Sequence, residues 1–578
     1  MPLFNIFTPF IFASIISQAA FAQTPDAEIS QFFQQFNSSN IASGALATHT
    51  KHIKPTRSVT PMLMYAKANW DNLSSSTKTM LKPWFMRPTD AGASSGVSGV
   101  SVFTAAQEST YISPSGRFKF HYLDAATNPT DPNKATSTFV QQLATIADAV
   151  WVQEVNTMGY AAPPGDGTLG GDAKYDIYLL NVGSQGVYGY VTSDATSYLG
   201  TPYPHSLFTH MVVDNDFAEF PQGATNAAKV TLAHEFFHSI QNGYDHSEFP
   251  AFLESLSTWM EDKNYPTIKD NLQYIGEKYV DSNGDGQYSA GESFTDINGN
   301  GLRESGSQDY PELHLDSFGL SGTGLEQYGR FMWIRYLSDK FGDAVVKDIL
   351  TACATTAGNN TYSAIDTVLQ GATYNSSLAA AFHEFGIWNI DVTKYQMGAD
   401  YPVAWGDRLF NNGAMNISSD ASQSLKSFSG QQKHLSTIYE LVNSPNATYT
   451  FTSTGSAQLS AMIQSTVGGA YTVQSIPLTS GQGSWTAPAG TAKVTFVISN
   501  TSPTDDTMTW RLTDGVTAPL PSLSSGGGTT TNGGGTTFTS TSSSSGGCLS
   551  DTFSPWLLLP FAGIALLFWM RESLKLYL

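Results

Sequence analysis

Two histidines four residues apart constrain this chain more than any other feature. His234 and His238 lie in the sequence HEFFH, among apolar residues that recur every three or four positions. This spacing is typical of one face of an amphipathic helix, so the two imidazoles should lie one helical turn apart. Two imidazoles so placed can bind one zinc ion, and Glu235 beside the first can reach a water molecule on that ion. The pattern predicts a zinc site with Glu235 as the general base.

The third zinc ligand is predicted to be a glutamate on the next helix. The chain has only 2 cysteines, so a thiolate zinc site is excluded. A histidine ligand six residues after His238 is also excluded, because Tyr244 stands there. A second helix is predicted to begin at Pro250, and Glu254 and Glu261 share one of its faces. Glu254 would complete the site, and Glu261 would accept a hydrogen bond from a ligand imidazole.

A calcium site is predicted in an insertion at 281–307. Residues 281–292 match the twelve-position loop in which oxygen ligands alternate around the ion and a glycine allows a sharp turn. A second, incomplete copy begins 15 residues later. The candidate calcium ligands are Asp281, Asn283, Asp285, Gln287, Glu292, Asp296, Asn298 and Asn300. An unmetallated turn is the alternative interpretation.

Both ends of the chain predict export. Residues 1–22 form an apolar leader that ends in Ala-Phe-Ala, so cleavage before Gln23 is expected. A Gly/Ser/Thr-rich linker spans 516–547, and residues 548–578 carry an apolar stretch and a basic end, as in bacterial C-terminal sorting signals. An uncleaved leader and a plain tail anchor are the alternatives. We expect a secreted or surface-anchored protein that contacts the membrane only through its C-terminal helix before processing.

Periodicity divides the exported part into three regions and predicts an α+β fold. Residues 23–105 show little periodicity beyond a helical piece at 71–86, and are interpreted as a pro-segment or an N-terminal wrapping segment. Residues 106–400 mix helical and strand patterns, and residues 425–515 consist of short alternating strands typical of a small β-sandwich. Within the middle region we predict helices at 137–158 and 325–341 and strands at 175–182 and 210–214.

The two motifs together resemble the gluzincin metallopeptidases. The resemblance rests on HEFFHSIQ followed by FLESLSTWMED and covers about 115–395. The nearest groups are secreted bacterial metallopeptidases and hyicolysin-like peptidases, and the spacing is shared with thermolysin and aminopeptidase relatives. It implies a zinc peptidase domain with a cleft between two subdomains. It also implies that strand 210–214 is the sheet edge that pairs with an extended substrate. An oxyanion donor is expected as well, for which Tyr328 and His314 are the candidates.

The leading functional prediction is therefore a zinc- and calcium-binding endopeptidase, expected to be a monomer, that acts on proteins or peptides. A zinc hydrolase of another amide or ester is one alternative, and a surface adhesin with a structural zinc helix is another. Nucleic acid is not an expected partner, because the formal net charge is −20. A second His-Glu pair, His383-Glu384, is expected to be structural, because no histidine follows four residues after His383.

Overall fold

The computed structural model describes residues 24–39, 58–277, 279, 291–295, 303, 314–318, 326–399, 401 and 427–514, except 357, 444, 446, 467 and 505. All of these residues belong to one compact unit, Thr24–Phe538. They form helices together with parallel and antiparallel strands, which confirms the predicted α+β class.

A six-stranded mixed sheet organises the first half of the described chain. Its strands are β1 (Ser109–Ile112), β2 (Phe118–Asp124), β3 (Lys134–Ala135), β4 (Tyr175–Leu180), β5 (Gly189–Thr192) and β6 (His210–Asp214). The order is β1-β2-β4-β6-β5, with β3 paired to β2. The central strands β2, β4 and β6 run parallel to one another, whereas β1 and β5 are antiparallel to their neighbours.

The expectation that strand 210–214 forms the sheet edge is wrong. This strand, β6, pairs with β4 on one side and with β5 on the other, so β5 is the outer strand at this end. The physical reason lies in the sequence Met211-Val212-Val213, whose three side chains are all buried. A continuous apolar run is typical of a strand that is covered on both faces, not of an exposed edge.

Three helices form most of the described N-terminal region: α1 (Pro25–Ser39), α2 (Thr60–Ala68) and α3 (Ser75–Phe85). The expectation of little periodicity outside 71–86 is therefore wrong. In α1, residues Ile29, Phe32, Phe33 and Phe36 recur at helical spacing and are all buried. This apolar stripe was present in the sequence, in a segment otherwise rich in Gln, Ser and Asn.

The N-terminal helices cover one face of the mixed sheet. Along β4, Tyr178 and Leu180 pack in a cluster with apolar residues of α1, α2 and α3, such as Trp84. The alternate residues Ile177 and Leu179 point to the opposite face, because side chains alternate along a strand. That opposite face carries the main hydrophobic core. The sheet is thus a buried middle layer between two layers of helix.

The remaining helices pack against the main core. They are α4 (Ser137–Trp151), α5 (Ala224–Tyr244), α6 (Pro250–Asn264), α7 (Glu326–Gly329), α8 (Phe331–Phe341), α9 (Ala344–Cys353), α10 (Thr361–Gln370) and α11 (Leu378–Ile390). The predicted helix 137–158 is present, with its last turns wound as a π-helix over Val152–Thr157. The predicted helix 325–341 is interrupted at Arg330, which separates α7 from α8. Cys353 is fully buried at the end of α9.

Two four-stranded antiparallel sheets follow in the last described part of the chain. Their strands are β7 (Ser427–Lys433), β8 (Ser436–Asn443), β9 (Thr448–Ser453), β10 (Ala457–Gln464), β11 (Thr472–Ser475), β12 (Gln482–Thr486), β13 (Lys493–Asn500) and β14 (Thr507–Asp514). One sheet has the order β11-β10-β13-β8 and the other β12-β9-β14-β7. Apolar residues from both sheets, such as Phe496 and Trp510, share one core.

Helix α11 joins these strands to the helical part of the molecule. Phe382 and Phe385 pack in the main core, whereas Ile387 and Ile390 pack against Tyr439 and other residues of the β-sheets. A helix that is apolar on several faces has to be covered on several faces. The two regions therefore meet across a continuous apolar interface.

None of the described helices is long and apolar enough to cross a membrane. The predicted leader, linker and C-terminal apolar helix lie outside the described residues. So do all the calcium candidates except Glu292, whose side chain is buried.

Candidate metal centre

Helix α5 brings the two predicted histidine ligands together. The Nε2 atoms of His234 and His238 lie 3.1 Å apart, and the two rings are nearly perpendicular. Both side chains are buried, as are almost all residues in the second half of the helix. The four-residue spacing therefore produces the predicted arrangement, with two imidazole nitrogens aimed at one point.

Helix α6 supplies the carboxylate predicted as the third ligand. Glu254 Oε2 lies 3.0 Å from His234 Nε2 and 3.8 Å from His238 Nε2. A tetrahedral zinc ion with bonds of 2.0–2.1 Å requires neighbouring ligand atoms about 3.3 Å apart, and the three measured distances bracket that value. Two imidazoles and one carboxylate are also a donor set that zinc accepts. The residues at this site fit a zinc ion.

The outer nitrogen of each histidine is held by a neighbouring polar group. His234 Nδ1 lies 2.8 Å from Glu261 Oε1, as predicted from the helical face that Glu261 shares with Glu254. His238 Nδ1 lies 2.7 Å from Gln241 Oε1 and 3.1 Å from Ser257 Oγ. These partners fix the ring orientations and favour protonation at Nδ1, which leaves the Nε2 lone pairs available to a metal.

Gln241 and Ser257 are functional candidates that sequence reasoning missed. The Gln241 amide nitrogen donates to the carbonyl of Leu253, which turns its oxygen toward His238. The position of Gln241 three residues after His238 places the two side chains on neighbouring faces of α5, and that spacing could have identified it.

Burial and charge shift the protonation of two residues at the site. Burial lowers the pKa of His238 to about 3, although the hydrogen bond with Gln241 opposes this shift. The imidazole is therefore neutral at physiological pH. For Glu235, burial and then the negative charge of Glu254 raise the pKa well above its usual range, while hydrogen bonds from Thr60 and Ser58 lower it. A divalent cation beside Glu254 would offset that negative charge.

Residues of the N-terminal segment contact the predicted general base. The Thr60 hydroxyl donates to Glu235 Oε2 at 3.0 Å and accepts from the Val191 N–H at 2.7 Å. Thr60 is buried and lies near the start of α2. A single hydroxyl therefore joins the carboxylate of Glu235 to the backbone of the outer strand β5.

Tyr328, the predicted oxyanion donor, lies beside the same histidine cluster. Its ring centroid is 6.1 Å from that of His234, and its hydroxyl exchanges hydrogen bonds with the backbone N–H and carbonyl of Ser58. A cavity of about 10 Å³, lined by Ser58, His234, Glu235 and Tyr328 among others, has room for about one water molecule.

The other candidates lie elsewhere. His314 contacts Asp316 and stacks on His434. His383 bonds through its two nitrogens to Ser499 and Ser460 at 2.9 and 2.8 Å, as expected for a structural histidine.

No family model matches this chain, and neither a curated protein nor a solved structure shows significant similarity to it. The chemistry of the site therefore has to follow from its own residues and their geometry.

Proposed function

We propose that this chain is a zinc-dependent peptidase in which His234, His238 and Glu254 hold the metal and Glu235 is the general base. The observation that carries the proposal is the convergence of three donor atoms beside a buried glutamate and a cavity of water size. Structural zinc sites usually have four protein ligands, whereas catalytic sites have three and an open position. The three candidate ligands and the cavity beside them favour a catalytic zinc site over a structural one.

In the proposed mechanism, Glu235 transfers a proton and the zinc ion polarises the substrate. A bound zinc ion would supply Lewis acidity, which polarises a carbonyl group and acidifies a water molecule. Glu235 would accept a proton from water in the cavity and later donate it to the leaving amine. Burial and the charge of Glu254 raise its pKa, and a bound cation beside Glu254 would lower it again, which favours the ionised form that accepts the proton.

Tyr328 is proposed to stabilise negative charge on the oxygen of the attacked carbonyl. Tyr328 lines the cavity beside His234, and a phenol donates a strong hydrogen bond to an oxyanion. At present this hydroxyl is engaged by Ser58. The role therefore requires that the backbone of Ser58 move away.

The region around Ser58 and Thr60 is proposed to be part of a pro-segment. Thr60 forms hydrogen bonds with the carboxylate of Glu235 and the N–H of Val191. Ser58 forms a hydrogen bond with the hydroxyl of Tyr328. An extended substrate that adds to the sheet edge would need the same β5 backbone. We infer that the chain with this segment in place is latent and that its displacement opens the site.

The wider organisation is proposed from the sequence. We propose a gluzincin-like peptidase domain, a β-sandwich over 425–515, export by the N-terminal leader and attachment through the C-terminal segment. A calcium ion in the loop 281–292 would rigidify the insertion, and a fall in melting temperature on calcium removal would support it.

The central experiment compares Glu235→Gln with the wild-type chain. Both are loaded with zinc, activated by limited proteolysis, and incubated with a broad peptide library and with simple ester substrates. The variant should retain zinc and lose activity by about 10²–10⁴-fold, because the base is removed and the ligands remain. Glu384→Gln, the glutamate of the other His-Glu pair, is the matched control and should remain active. Equal rates in wild type and Glu235→Gln would overturn the mechanism, and cleavage of esters alone would exclude a peptidase.

A further inference from the structure

A second group of metal-binding side chains lies where segment 314–318 meets the turn between β7 and β8. His434 Nε2 lies 3.0 and 3.1 Å from the two carboxylate oxygens of Asp316. His314 Nδ1 contacts the same carboxylate, and the rings of His314 and His434 stack with centroids 4.9 Å apart. One ligand atom from each of the three residues lies within 4.8 Å of the others. The group thus offers two imidazoles and one carboxylate, as the site on α5 and α6 does.

The backbone holds these three residues against one another. The Leu315 N–H donates to the Leu435 carbonyl at 3.2 Å, and both leucine side chains are buried in the main core. Leu435 has a φ of 39°, a left-handed conformation that is strained for a leucine. Such strain persists only where the surroundings enforce it. The hydrogen bond and the buried leucines therefore fix the turn that contains His434, and with it the position of His434 beside Asp316.

The exposure of the group permits an ion to enter. The His434 and Asp316 side chains are 5% and 14% exposed, whereas His314 is 32% exposed. An ion could therefore reach the group from the side of His314, and solvent could supply a fourth ligand. Two anchored ligands and one accessible ligand make a site that can load after the chain has folded.

Another cluster among the described residues is a weaker candidate. Asp214, Asp216 and Glu219 also lie close together. Asp214, however, already accepts hydrogen bonds from the backbone N–H groups of Gly183 and Phe217, at 2.5 and 2.6 Å. Its two carboxylate oxygens thus hold the loop after β4 and the loop after β6 together.

We propose that His314, Asp316 and His434 bind a second divalent transition-metal ion, with zinc the best match to two imidazoles and one carboxylate. The ion ties the segment that precedes α7 to the turn of the β7–β8 hairpin. Its role is to lock the β-sheets onto the helical region at a point separate from the α11 interface. The site does not depend on the proposed peptidase activity.

The test is the zinc content of the purified full chain after dialysis in buffer with excess calcium, which keeps zinc out of calcium-type sites. Wild type should hold two zinc ions per chain. His314→Ala should hold one, and because His314 is partly exposed the variant should still fold. Glu254→Ala should also hold one, and the double variant none. His383→Gln is the control. This buried histidine on α11 also lies between the helical region and the β-sheets, but its two nitrogens are bonded to serines.

The outcomes separate the two sites. One zinc per wild-type chain, lost in Glu254→Ala and unchanged in His314→Ala, would overturn the second site and leave the proposed function standing. In that case the three residues form a hydrogen-bonded His-Asp-His triad without a metal. Conversely, one zinc that is lost only in His314→Ala would support the second site and contradict the proposed catalytic centre. A melting temperature that falls on chelation in Glu254→Ala but not in the double variant would assign the stabilisation to the second ion.

Discussion

The hydroxyl of Thr60 donates a 3.0 Å hydrogen bond to Oε2 of Glu235, across 175 residues of sequence. The hydroxyl oxygen of Thr60 in turn accepts a hydrogen bond from the N–H of Val191 on the outer strand of the sheet. One residue of the N-terminal segment therefore occupies both the proposed general base and the backbone group that an extended substrate would use.

Thr60→Val is expected to raise the hydrolysis rate of the full chain several-fold. Valine has nearly the same shape but no hydroxyl, so the bonds to Glu235 and Val191 are lost and the segment is held less firmly. Thr60→Ser keeps the hydroxyl and should behave as wild type. Initial rates on a quenched fluorescent peptide library measure the effect. A Thr60→Val rate no higher than that of Thr60→Ser would show that this hydroxyl does not maintain latency.

Glu254→Ala is expected to lose the zinc of the proposed catalytic site together with all activity, because only two of the three protein ligands, the imidazoles, would remain. Glu261→Ala and Gln241→Ala each remove only a group that orients a ligand imidazole, and should cost about 10–100-fold in affinity or activity. Asp245→Ala and His246→Ala should retain zinc, because neither residue belongs to the group of His234, His238 and Glu254. The measurement is zinc per chain after dialysis against a mild chelator. Retention of catalytic-site zinc by Glu254→Ala would exclude this residue as a ligand.

Trp84→Ala is expected to destabilise the protein by about 3–5 kcal/mol, the usual effect of removing a large buried aromatic side chain. The indole of Trp84 is 1% exposed, and its ring packs 5.4 Å from Phe33 and 5.2 Å from Tyr190 of β5. Lys82→Ala, an exposed position on the same helix, should change stability little. Urea unfolding followed by fluorescence provides the values. Equal stability of the two variants would mean that the N-terminal layer contributes little to the fold.

Glu440→Gln should become more stable relative to wild type as the pH rises from 5 to 8. Burial raises the pKa of Glu440 from 4.5 to about 8. The folded chain therefore retains a proton that the unfolded chain releases between these values, and wild-type stability falls as the pH rises through this window. Glutamine carries no such proton. The relative gain should be up to about 3 kcal/mol, from chemical denaturation at both pH values. A constant difference would contradict a neutral, buried Glu440.

The residues of the candidate metal centre could be predicted because the spacing within each helix is local. His234 and His238 are one turn apart on α5, and Glu254 and Glu261 are two turns apart on α6, so helical periodicity alone places each pair on one face. The continuous apolar run of β6 is typical of a covered strand, and the apolar stripe of α1 has helical spacing, so the sequence contains both signals.

The remaining contacts could not be predicted because they depend on how distant segments pack. Ser257 meets His238 only through the relative rotation of α5 and α6, which no periodicity specifies. Thr60 reaches Glu235 because α2 lies over the sheet, and His434 reaches Asp316 across 118 residues. In each case the tertiary fold, rather than the residue pattern, creates the pair.

The packing of α11 has a consequence for how separable the β-sheets are. Gly386 sits so close to Thr437 that an added Cβ would lie 3.0 Å from the threonine side chain, and its carbonyl accepts a hydrogen bond from Tyr439. A chain truncated between 400 and 427 would lack the β-sheets. Ile387 and Ile390 would then be exposed to water, and the Gly386 carbonyl would lose the hydrogen bond from Tyr439. The β-sheets therefore cover an apolar face of α11 that would otherwise be exposed. Replacing them with an unrelated domain would require new residues on that face of α11.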